Sequence, residues 1–338
     1  MLDTLKTLCA LDGVSGDEGK VREYIQGRIE KHVDEFSVDA MGNIIAFKKG
    51  SRKTDKTVVL CAHMDEIGIV VTSIADDGYL KFAISGGVDN RVILGKTVFI
   101  GEERVFGVIG CKAIHLVSER DREKATEVVD MYIDIGAKNK EEAEKLVSLG
   151  DTGAFSNDVV EFGDGFIKAK AIDDRFGCAV LIGLIESDIP IDCWFVFTVQ
   201  EEVGVRGATT AAFRTQADIA LIIESTTAAD FPSVSQNKKV SIVGKGAVIP
   251  FMDGGTIYDK ELYALLTGIA EEHEVPWQTK NVISGGTDAQ AFQRSRAGVK
   301  TAGIAAPVRN LHSPSCVAKI SDLEAVNDLV TKFLHSFE

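Results

Sequence analysis

The sequence predicts an α/β fold, in which a mostly parallel sheet flanked by helices carries an inserted small β-rich domain. Three observations support this prediction. Residues 57–62 read TVVLCA, an apolar run that is typical of a strand buried on both faces. After Ala171, strand-like and helix-like segments alternate, which favours a parallel sheet covered on both sides. Between residues 67 and 168, short β-type runs are separated by Gly and Asp turns, as in a small β domain.

The main domain is therefore expected in two parts, residues 1–66 and 169–338, on either side of an insertion at 67–168. A chain of 338 residues is long enough for two hydrophobic cores. The pattern before the insertion predicts two helices and a hairpin, at about Leu2–Leu11, Asp17–His32 and Phe36–Phe47. Ser15 and Glu18 have the spacing of a capping box at the start of the second helix.

The pattern after the insertion predicts five helices and two strands. The helices are expected at Asp174–Glu186, Ala208–Phe213, Asp259–Glu274, Thr287–Arg296 and Asp322–Phe337, and the strands at Cys193–Val199 and Ile219–Ile223. Ligands of open α/β sheets bind at the carboxyl ends of the parallel strands, so the residues that follow these strands are candidates for function.

Composition and charge exclude several classes of protein. The net charge of −14 argues against an electrostatic site for nucleic acid or an anionic membrane. The apolar stretches are too short to span a bilayer, and the first residues lack the pattern of a signal peptide, so a cytoplasmic protein is expected. The six cysteines contain no CxxC pair, and we expect them to be reduced and mostly buried.

Polar residues cluster in five short motifs at or near the ends of predicted strands. These motifs are His63-Met64-Asp65-Glu66, Asp173-Asp174-Arg175, Glu201-Glu202-Val203-Gly204, Glu224-Ser225-Thr226-Thr227 and His312-Ser313-Pro314. A carboxylate that bridges two cations, with a His and a carboxylate on each side, is the ligand set of a paired zinc, cobalt or manganese site. The lack of Cys among the motifs disfavours a structural zinc site.

Each motif also has a simpler structural interpretation. His63 closes a buried strand and could be a hydrogen-bonded core histidine, although Asp65 is placed to accept its second ring N–H and fix the tautomer. The simpler interpretation of Asp173 and Asp174 is that they cap the N-terminus of a helix and bind no metal. Glu201 and Glu202 could lie in a surface turn, but side chains that leave a strand end in different directions allow one to bind a metal while the other acts as a general base.

The two remaining candidates are Glu224 and His312. Glu224 ends a strand that has no other polar side chain, so its carboxylate needs compensation from a metal or a helix N-terminus. His312 lies in a predicted loop, where an exposed histidine is the simpler alternative. Three other histidines are interpreted as surface residues, namely His32, His273 and His335. His115, in the insertion, is a further candidate for the site.

Together these motifs resemble the M42 family of metallo-aminopeptidases, which belongs to the zinc exopeptidases. The resemblance runs from the first helix to the last and rests on the ordered set AHMDEIG, AIDDRFGC, EEVG, GGTDA and HSP. It implies that Asp173 bridges two divalent ions, and that the other ligands are His63, Glu202, Glu224 and His312. It also implies a cis peptide bond after Asp173. Many members have Asp where this chain has Glu224, so this half of the site departs from the family pattern.

The resemblance implies a two-metal aminopeptidase that acts on peptides with a free N-terminus. A metal-bound hydroxide would be the nucleophile, and the expected catalytic residues are Glu201, as the general base, and Asp65. The loop Ser284–Asp288 is expected to line the pocket for the first side chain. The insertion would be a dimerisation domain, and dimers would assemble into a homo-oligomeric dodecamer.

Four other functions stay open at this stage. An N-acyl amino acid deacylase or a carboxypeptidase would use the same fold and would need an arginine for the substrate carboxylate. Arg175, Arg206 and Arg309 lie near the motifs. Paired carboxylates also occur in glycosidases, but these do not need the two histidines. An inactive oligomeric scaffold is the non-enzymatic alternative, although it would be expected to have lost Glu201.

Overall fold

The computed structural model describes residues 1–119, 122–156 and 158–337. These residues form nine α-helices: α1 (Leu2–Ala10), α2 (Gly19–Ile29), α3 (Asn90–Ile93), α4 (Lys140–Ala143), α5 (Ile172–Glu186), α6 (Arg206–Thr215), α7 (Lys260–Glu272), α8 (Ala289–Gln293) and α9 (Ile320–His335). The main helices α5, α7 and α9 pack directly on the large sheet described below. No helix in the described part of the chain is both long enough and apolar enough to cross a bilayer.

The strands divide between a large sheet and a barrel. The first part of the chain and the barrel contain β1 (Glu35–Val38), β2 (Ile44–Lys48), β3 (Val58–His63), β4 (Gly68–Ile74), β5 (Leu80–Ser85), β6 (Thr97–Ile100), β7 (Val105–Cys111), β8 (Met131–Asp134) and β9 (Thr152–Phe155). The remaining strands are β10 (Val160–Phe162), β11 (Phe166–Ala169), β12 (Cys193–Thr198), β13 (Ile219–Thr227), β14 (Ala247–Ile249), β15 (Trp277–Thr279), β16 (Lys300–Arg309) and β17 (Cys316–Lys319).

The large sheet has the strand order β1-β2-β12-β3-β13-β16-β17-β11-β10, and β14 and β15 are attached beside β16. Its centre is parallel, because β12, β3, β13 and β16 run in one direction, and β14 also pairs with β15 in parallel beside it. The flanking strands pair in antiparallel fashion. The prediction of a mostly parallel sheet was therefore wrong for the edges. Hairpin connections such as β1–β2 and β10–β11 add strands without the crossover helix that parallel pairing requires.

The centre of the sheet is fully buried, which explains its uniformly apolar sequence. All six residues of β3 are inaccessible to solvent, and α5 covers this strand and its neighbour β13. Helix α5 is itself apolar on nearly every side, because it lies between the sheet and the helices α1, α2 and α9. Only the strand ends can then carry polar side chains into a solvent-accessible site.

Residues 68–155 contain a closed six-stranded barrel with the order β4-β5-β8-β7-β6-β9. It has its own apolar cluster, which is separate from the core of the large sheet. The β-rich texture of the predicted insertion agrees with this barrel, but its end differs from the prediction. Strand β11 pairs with β17 and strand β10 pairs with β11, so this hairpin at 160–169 extends an antiparallel edge of the large sheet.

Two local expectations had different outcomes. The six cysteines are free thiols, and all except Cys111 are buried. The predicted capping box is absent, because α2 begins at Gly19 and the Ser15 hydroxyl donates to Asp65 Oδ2 at 2.6 Å. Glu18 instead accepts the backbone N–H of Gly16. Ser15 thus connects the helix entry with the strand ends at the centre of the sheet.

Candidate active site and metal centre

The parallel centre of the sheet brings most of the predicted site residues to one edge. In the pairing of β12 with β3, Thr198 lies opposite His63, so the residues that follow β12 emerge beside His63. Glu224 was predicted to end its strand, but β13, the other neighbour of β3, continues to Thr227 because it pairs with β16 over that length. Glu224 lies just beyond the part of β13 that pairs with β3, and its Oε2 is 3.8 Å from His63 Nε2. This agrees with the general position of ligand sites in open α/β sheets.

Asp173 enters the same space from the start of α5. Its Oδ1 lies 3.5 Å from His63 Nε2, and its Oδ2 lies 3.4 Å from His312 Nε2. The peptide bond between Asp173 and Asp174 is cis, at the position implied by the resemblance. The two oxygens of one carboxylate therefore face two different histidines.

Two groups of possible metal ligands result, and they share Asp173. The first group contains His63, Asp173 and Glu224, and the second contains Asp173, Glu202 and His312. Within each group, one ligand atom from every residue lies within 4.8 Å of the others. The buried Oδ1 of Asp173 has no hydrogen-bond partner among the described residues. This orphaned oxygen and the nitrogen–oxygen donor set both fit a pair of divalent cations.

The electrostatics of the two groups also favour cations. Burial raises the pKa of Glu224 well above its ordinary value, and burial together with nearby Asp173 raises the pKa of Glu202 to about 7. Burial lowers the pKa of His312, but Asp173 and Glu202 outweigh this effect and raise it to about 9. Carboxylates that are crowded together away from water retain protons, and cations would relieve this crowding.

Asp65 is wholly buried and lies beneath the residues that line the cavity, in contact with His63. Its backbone carbonyl lies 3.1 Å from His63 Nδ1, and its Oδ1 lies 3.5 Å from the same nitrogen. The carboxylate also accepts the backbone N–H groups of Glu201 at 2.9 Å and Glu202 at 3.1 Å. Burial raises the pKa of Asp65, but His63 and these donors outweigh burial and lower it below the usual range. Asp65 thus links the orientation of His63 to the position of both glutamates.

Glu201 belongs to neither ligand group, although it lines the same cavity. It follows Gln200, whose positive φ of 56° turns the chain sharply after β12. Burial raises the pKa of Glu201 well above its ordinary value. A half-buried carboxylate beside a metal centre, but outside the ligand groups, can accept a proton from water.

A cavity of about 250 Å³ extends from His63 and Asp173 into the main domain. Ser284, Gly285, Gly286 and Thr287 form part of its wall, as the sequence predicted for this loop. The opposite wall includes apolar residues such as Val248 and Ile304. The space is large enough for one amino-acid side chain.

Sequence reasoning missed three polar residues in the wall of this cavity: Lys280, Tyr258 and Asp253. Asp253 is saturated, since it accepts the Tyr258 hydroxyl at 2.7 Å and the backbone N–H groups of Gly255 and Thr256. The Lys280 ammonium donates to the Ser284 carbonyl at 2.6 Å and pairs with no carboxylate of the described residues. Its place directly after a short strand was the only available signal in the sequence.

The other sequence candidates lie away from the two ligand groups. His32, His115, His273 and His335 are all exposed, and His115 lies in a 3₁₀ turn of the barrel. The Arg175 guanidinium is completely buried and donates to backbone carbonyls and Glu66. Arg309 forms a bidentate ion pair with Asp230. Arg206 is exposed and is not among the residues that line the cavity.

Comparisons with known proteins agree with this geometry. The family model of M42 glutamyl aminopeptidases matches residues 42–329. A protein of Acetivibrio thermocellus, named provisionally as an aminopeptidase, is 40% identical over 325 residues, which cover 96% of this chain and 95% of the relative.

Solved structures resemble the chain over nearly its whole length. Aminopeptidase APDkam598 from the archaeon Desulfurococcus kamchatkensis matches with a TM-score of 0.93 at 34% identity, over 98% of this chain and 93% of that one. The TET1 peptidase of Pyrococcus horikoshii, described as assembling into a tetrahedron or a large octahedral shell, matches with a TM-score of 0.86 at 34% identity, over 98% of both chains. The likeness therefore includes the barrel as well as the large sheet.

Proposed function

The chain belongs to the M42 family of aminopeptidases and is a peptidase hydrolase, and on this premise we propose that it uses two divalent cations to remove single N-terminal residues from peptides. The observation that carries the proposal is the pair of ligand groups that share Asp173. Glu201 lies beside these groups, and a cavity of side-chain size opens next to them.

His63, Asp173 and Glu224 would hold one cation, and Asp173, Glu202 and His312 would hold the other. Zinc, cobalt or manganese ions bound there would polarise the peptide carbonyl and lower the pKa of water. The longer side chain of Glu224, compared with the Asp of many family members, still places an oxygen 3.8 Å from His63. The departure from the family pattern therefore leaves the first ligand group complete.

Glu201 would act as the general base. It would accept a proton from the attacking water and donate that proton to the amine of the leaving peptide, which balances the hydrolysis of one peptide bond. Asp65 supports this role as a positioning residue, because its carboxylate accepts a hydrogen bond from the backbone N–H of Glu201. His63 would keep its ring orientation through the contacts of Nδ1 with Asp65.

The cavity limits cleavage to the first peptide bond. The first side chain would enter the cavity beside the loop Ser284–Thr287, and the α-amine would lie among the carboxylates near its mouth. A blocked N-terminus would lose the positive charge that these carboxylates attract. This geometry favours an aminopeptidase over an N-acyl amino acid deacylase.

The carboxypeptidase alternative needs a cation for a substrate carboxylate near the metals. Arg175 and Arg309 are already committed to partners inside the protein, and Arg206 lies outside the cavity lining. A scaffold without turnover would not need Glu201 beside two complete ligand groups. Lys280 lines the cavity without a carboxylate partner among the described residues, so cleavage of N-acetylated peptides would favour the carboxypeptidase alternative.

We further propose that the insertion at 67–168 acts as a dimerisation domain within a homo-oligomer, and that dimers assemble into a dodecamer. Several large apolar side chains on the barrel are exposed, namely Phe106, Ile114, Leu116, Val129 and Leu149. Exposed apolar residues grouped on one unit are typical of subunit contacts. Light scattering would test this proposal, since a monomeric mass would contradict it.

The function is tested by hydrolysis of aminoacyl p-nitroanilides on metal-stripped protein to which zinc, cobalt or manganese is returned. We expect metal-dependent release from substrates with a free amine and none from their N-acetylated forms. The Glu201→Gln variant serves as the control for the base. Equal activity on N-acetylated substrates would identify a deacylase instead.

A further inference from the structure

A second cleft, of about 730 Å³, opens on the other side of His312 from the side-chain cavity. The two spaces are adjacent, because Thr227, Leu311 and His312 line both of them. The proposed site of hydrolysis lies between them. If the first residue of the peptide occupies the cavity, the chain beyond the cleaved bond must leave through this cleft.

The cleft lies between the barrel and the large sheet. One wall is the segment 89–96 of the barrel, which contributes Val92 and Leu94. The other wall contains Phe231, which follows β13, and Leu311, which follows β16. Phe231 is 43% exposed although it is a large aromatic side chain. These four apolar side chains give the cleft a surface that is suited to another apolar group.

Both walls are fixed by contacts within the protein. Asp230, next to Phe231, forms two hydrogen bonds of 2.7 and 2.6 Å with Arg309 and accepts the backbone N–H of Val243. His312 Nδ1 lies 2.8 Å from the carbonyl of Gly87, so the barrel segment is tied to the ligand loop. A pre-formed surface does not have to be ordered when substrate binds, which favours its use as a binding site.

The charges in the cleft differ from those of the whole chain. The chain has a net charge of −14, whereas the charged residues that line the cleft are Asp89, Arg91 and Lys96. Arg91 is paired with Asp89, Lys96 is exposed, and His312 is a proposed metal ligand. The lining residues that precede Phe231 in the chain, Thr227 and Ala228, carry no charge, which suits an uncharged side chain.

We propose that this cleft binds the residue that follows the cleaved bond, and that it selects peptides with a large apolar residue at the second position. This inference rests on the proposed function and adds a preference on the leaving side of the reaction. Phe231 is the specificity-determining residue, because its large aromatic ring lines the cleft and is 43% exposed. Removal of an apolar contact of this kind changes discrimination by roughly tenfold to a hundredfold.

The test compares three substrates that share leucine as the first residue: Leu-Phe-Ala, Leu-Gly-Ala and leucinamide. We expect the metal-loaded protein to prefer Leu-Phe-Ala to Leu-Gly-Ala by about tenfold in kcat/KM. Phe231→Ala should remove this preference and leave leucinamide hydrolysis unchanged, whereas Phe231→Leu should retain most of it. Phe213→Ala is the matched control, since Phe213 is 68% exposed on α6 and lies outside the cleft.

A binding measurement provides a second readout that does not depend on turnover. In metal-free protein, ligand-observed NMR should detect the released dipeptide Phe-Ala more strongly than Gly-Ala, and Phe231→Ala should abolish the difference. Equal hydrolysis of Leu-Phe-Ala and Leu-Gly-Ala by the wild type, or an equal loss on all three substrates in Phe231→Ala, would overturn the inference. If none of the three is hydrolysed, the comparison is repeated with glutamate as the first residue, and hydrolysis of none of those substrates would overturn the proposed function, and this inference with it.

Discussion

The carboxylate of Asp65 accepts the backbone N–H of Glu201 at 2.9 Å, so the end of strand β3 fixes the residue that follows the neighbouring strand β12. Asp65 is 0% exposed, and its second oxygen accepts the N–H of Glu202 and the hydroxyl of Ser15. One buried side chain therefore sets the position of the proposed base and of one proposed metal ligand.

Asp65→Asn should lower both stability and activity. The carboxylate now accepts hydrogen bonds from three donors, and the amide would present N–H groups to at least one of them. A buried donor left unsatisfied lowers the free energy of unfolding by about 1–3 kcal/mol. We expect kcat/KM to fall by about tenfold to a hundredfold, as for other residues that orient metal ligands. Urea unfolding and peptidase assays would measure the two effects. Ser15→Ala, which removes a single donor, should have a much smaller effect on both.

Glu201→Gln should remove turnover but not metal binding. Gln cannot accept the water's proton, and loss of a general base costs about 10²–10⁴-fold in rate. Glu201 is outside both ligand groups, so metal content measured by mass spectrometry should stay at two ions per chain. Loss of a cation from this variant would show instead that Glu201 is a ligand.

Asp173→Asn should reduce the binding of both cations, because Asp173 is the residue common to the two groups. His312→Ala removes a ligand from the second group only and should leave one cation in place. Metal content after dialysis against a weak chelator distinguishes the two variants. An equal loss of one ion from each would contradict the bridging role of Asp173.

Metal affinity should rise with pH. In the metal-free protein, burial raises the pKa of Glu202 to about 7, and His312 has a pKa of about 9 because its neighbouring carboxylates outweigh burial. Between these values a cation in the second group displaces about one proton, and below pH 7 it displaces about two. Calorimetric titration between pH 6 and pH 8.5 should therefore show affinity falling as pH falls, and more steeply below pH 7. A constant affinity would contradict the assignment of both ligands.

Lys280→Met should weaken the cleavage of acidic N-terminal residues. Lys280 lines the side-chain cavity and pairs with no carboxylate of the described chain, so its ammonium is available to a glutamyl side chain. We expect the ratio of kcat/KM for Glu and Gln p-nitroanilides to fall by about fivefold to tenfold. Lys245→Met, at an exposed position outside the cavity, is the matched control. An unchanged ratio would exclude Lys280 as the selective group.

The sequence predicted the central strands that consist almost entirely of apolar residues, but it did not predict every strand of the central sheet. Residues 58–62 and 193–197 are uniformly apolar, and both lie in central strands. Strand β16 is equally central but was missed, because its sequence contains Gly303 and Pro307. Gly303 packs against the Tyr258 ring, where a Cβ would lie 3.1 Å from ring atoms. Such packing between distant residues leaves no local signal.

The grouping of the candidate residues was predictable where several carboxylates and histidines follow one another within a short stretch of sequence. The motifs around His63, Asp173 and Glu201 combine residue types that rarely follow buried strands without a function, and the structure brings them together. Lys280 was not predictable, because a lysine after a strand is usually a surface residue. Its significance depends on the partners that surround it in space, which the sequence does not state.

The order of the ligands along the chain has a consequence for the biogenesis of the protein. The first ligand is His63 and the last is His312, and the barrel lies between the first two of them. A chain synthesised only to a point before His312 would contain the first proposed ligand group but not the second. If hydrolysis needs both proposed cations, it would require that synthesis has passed His312.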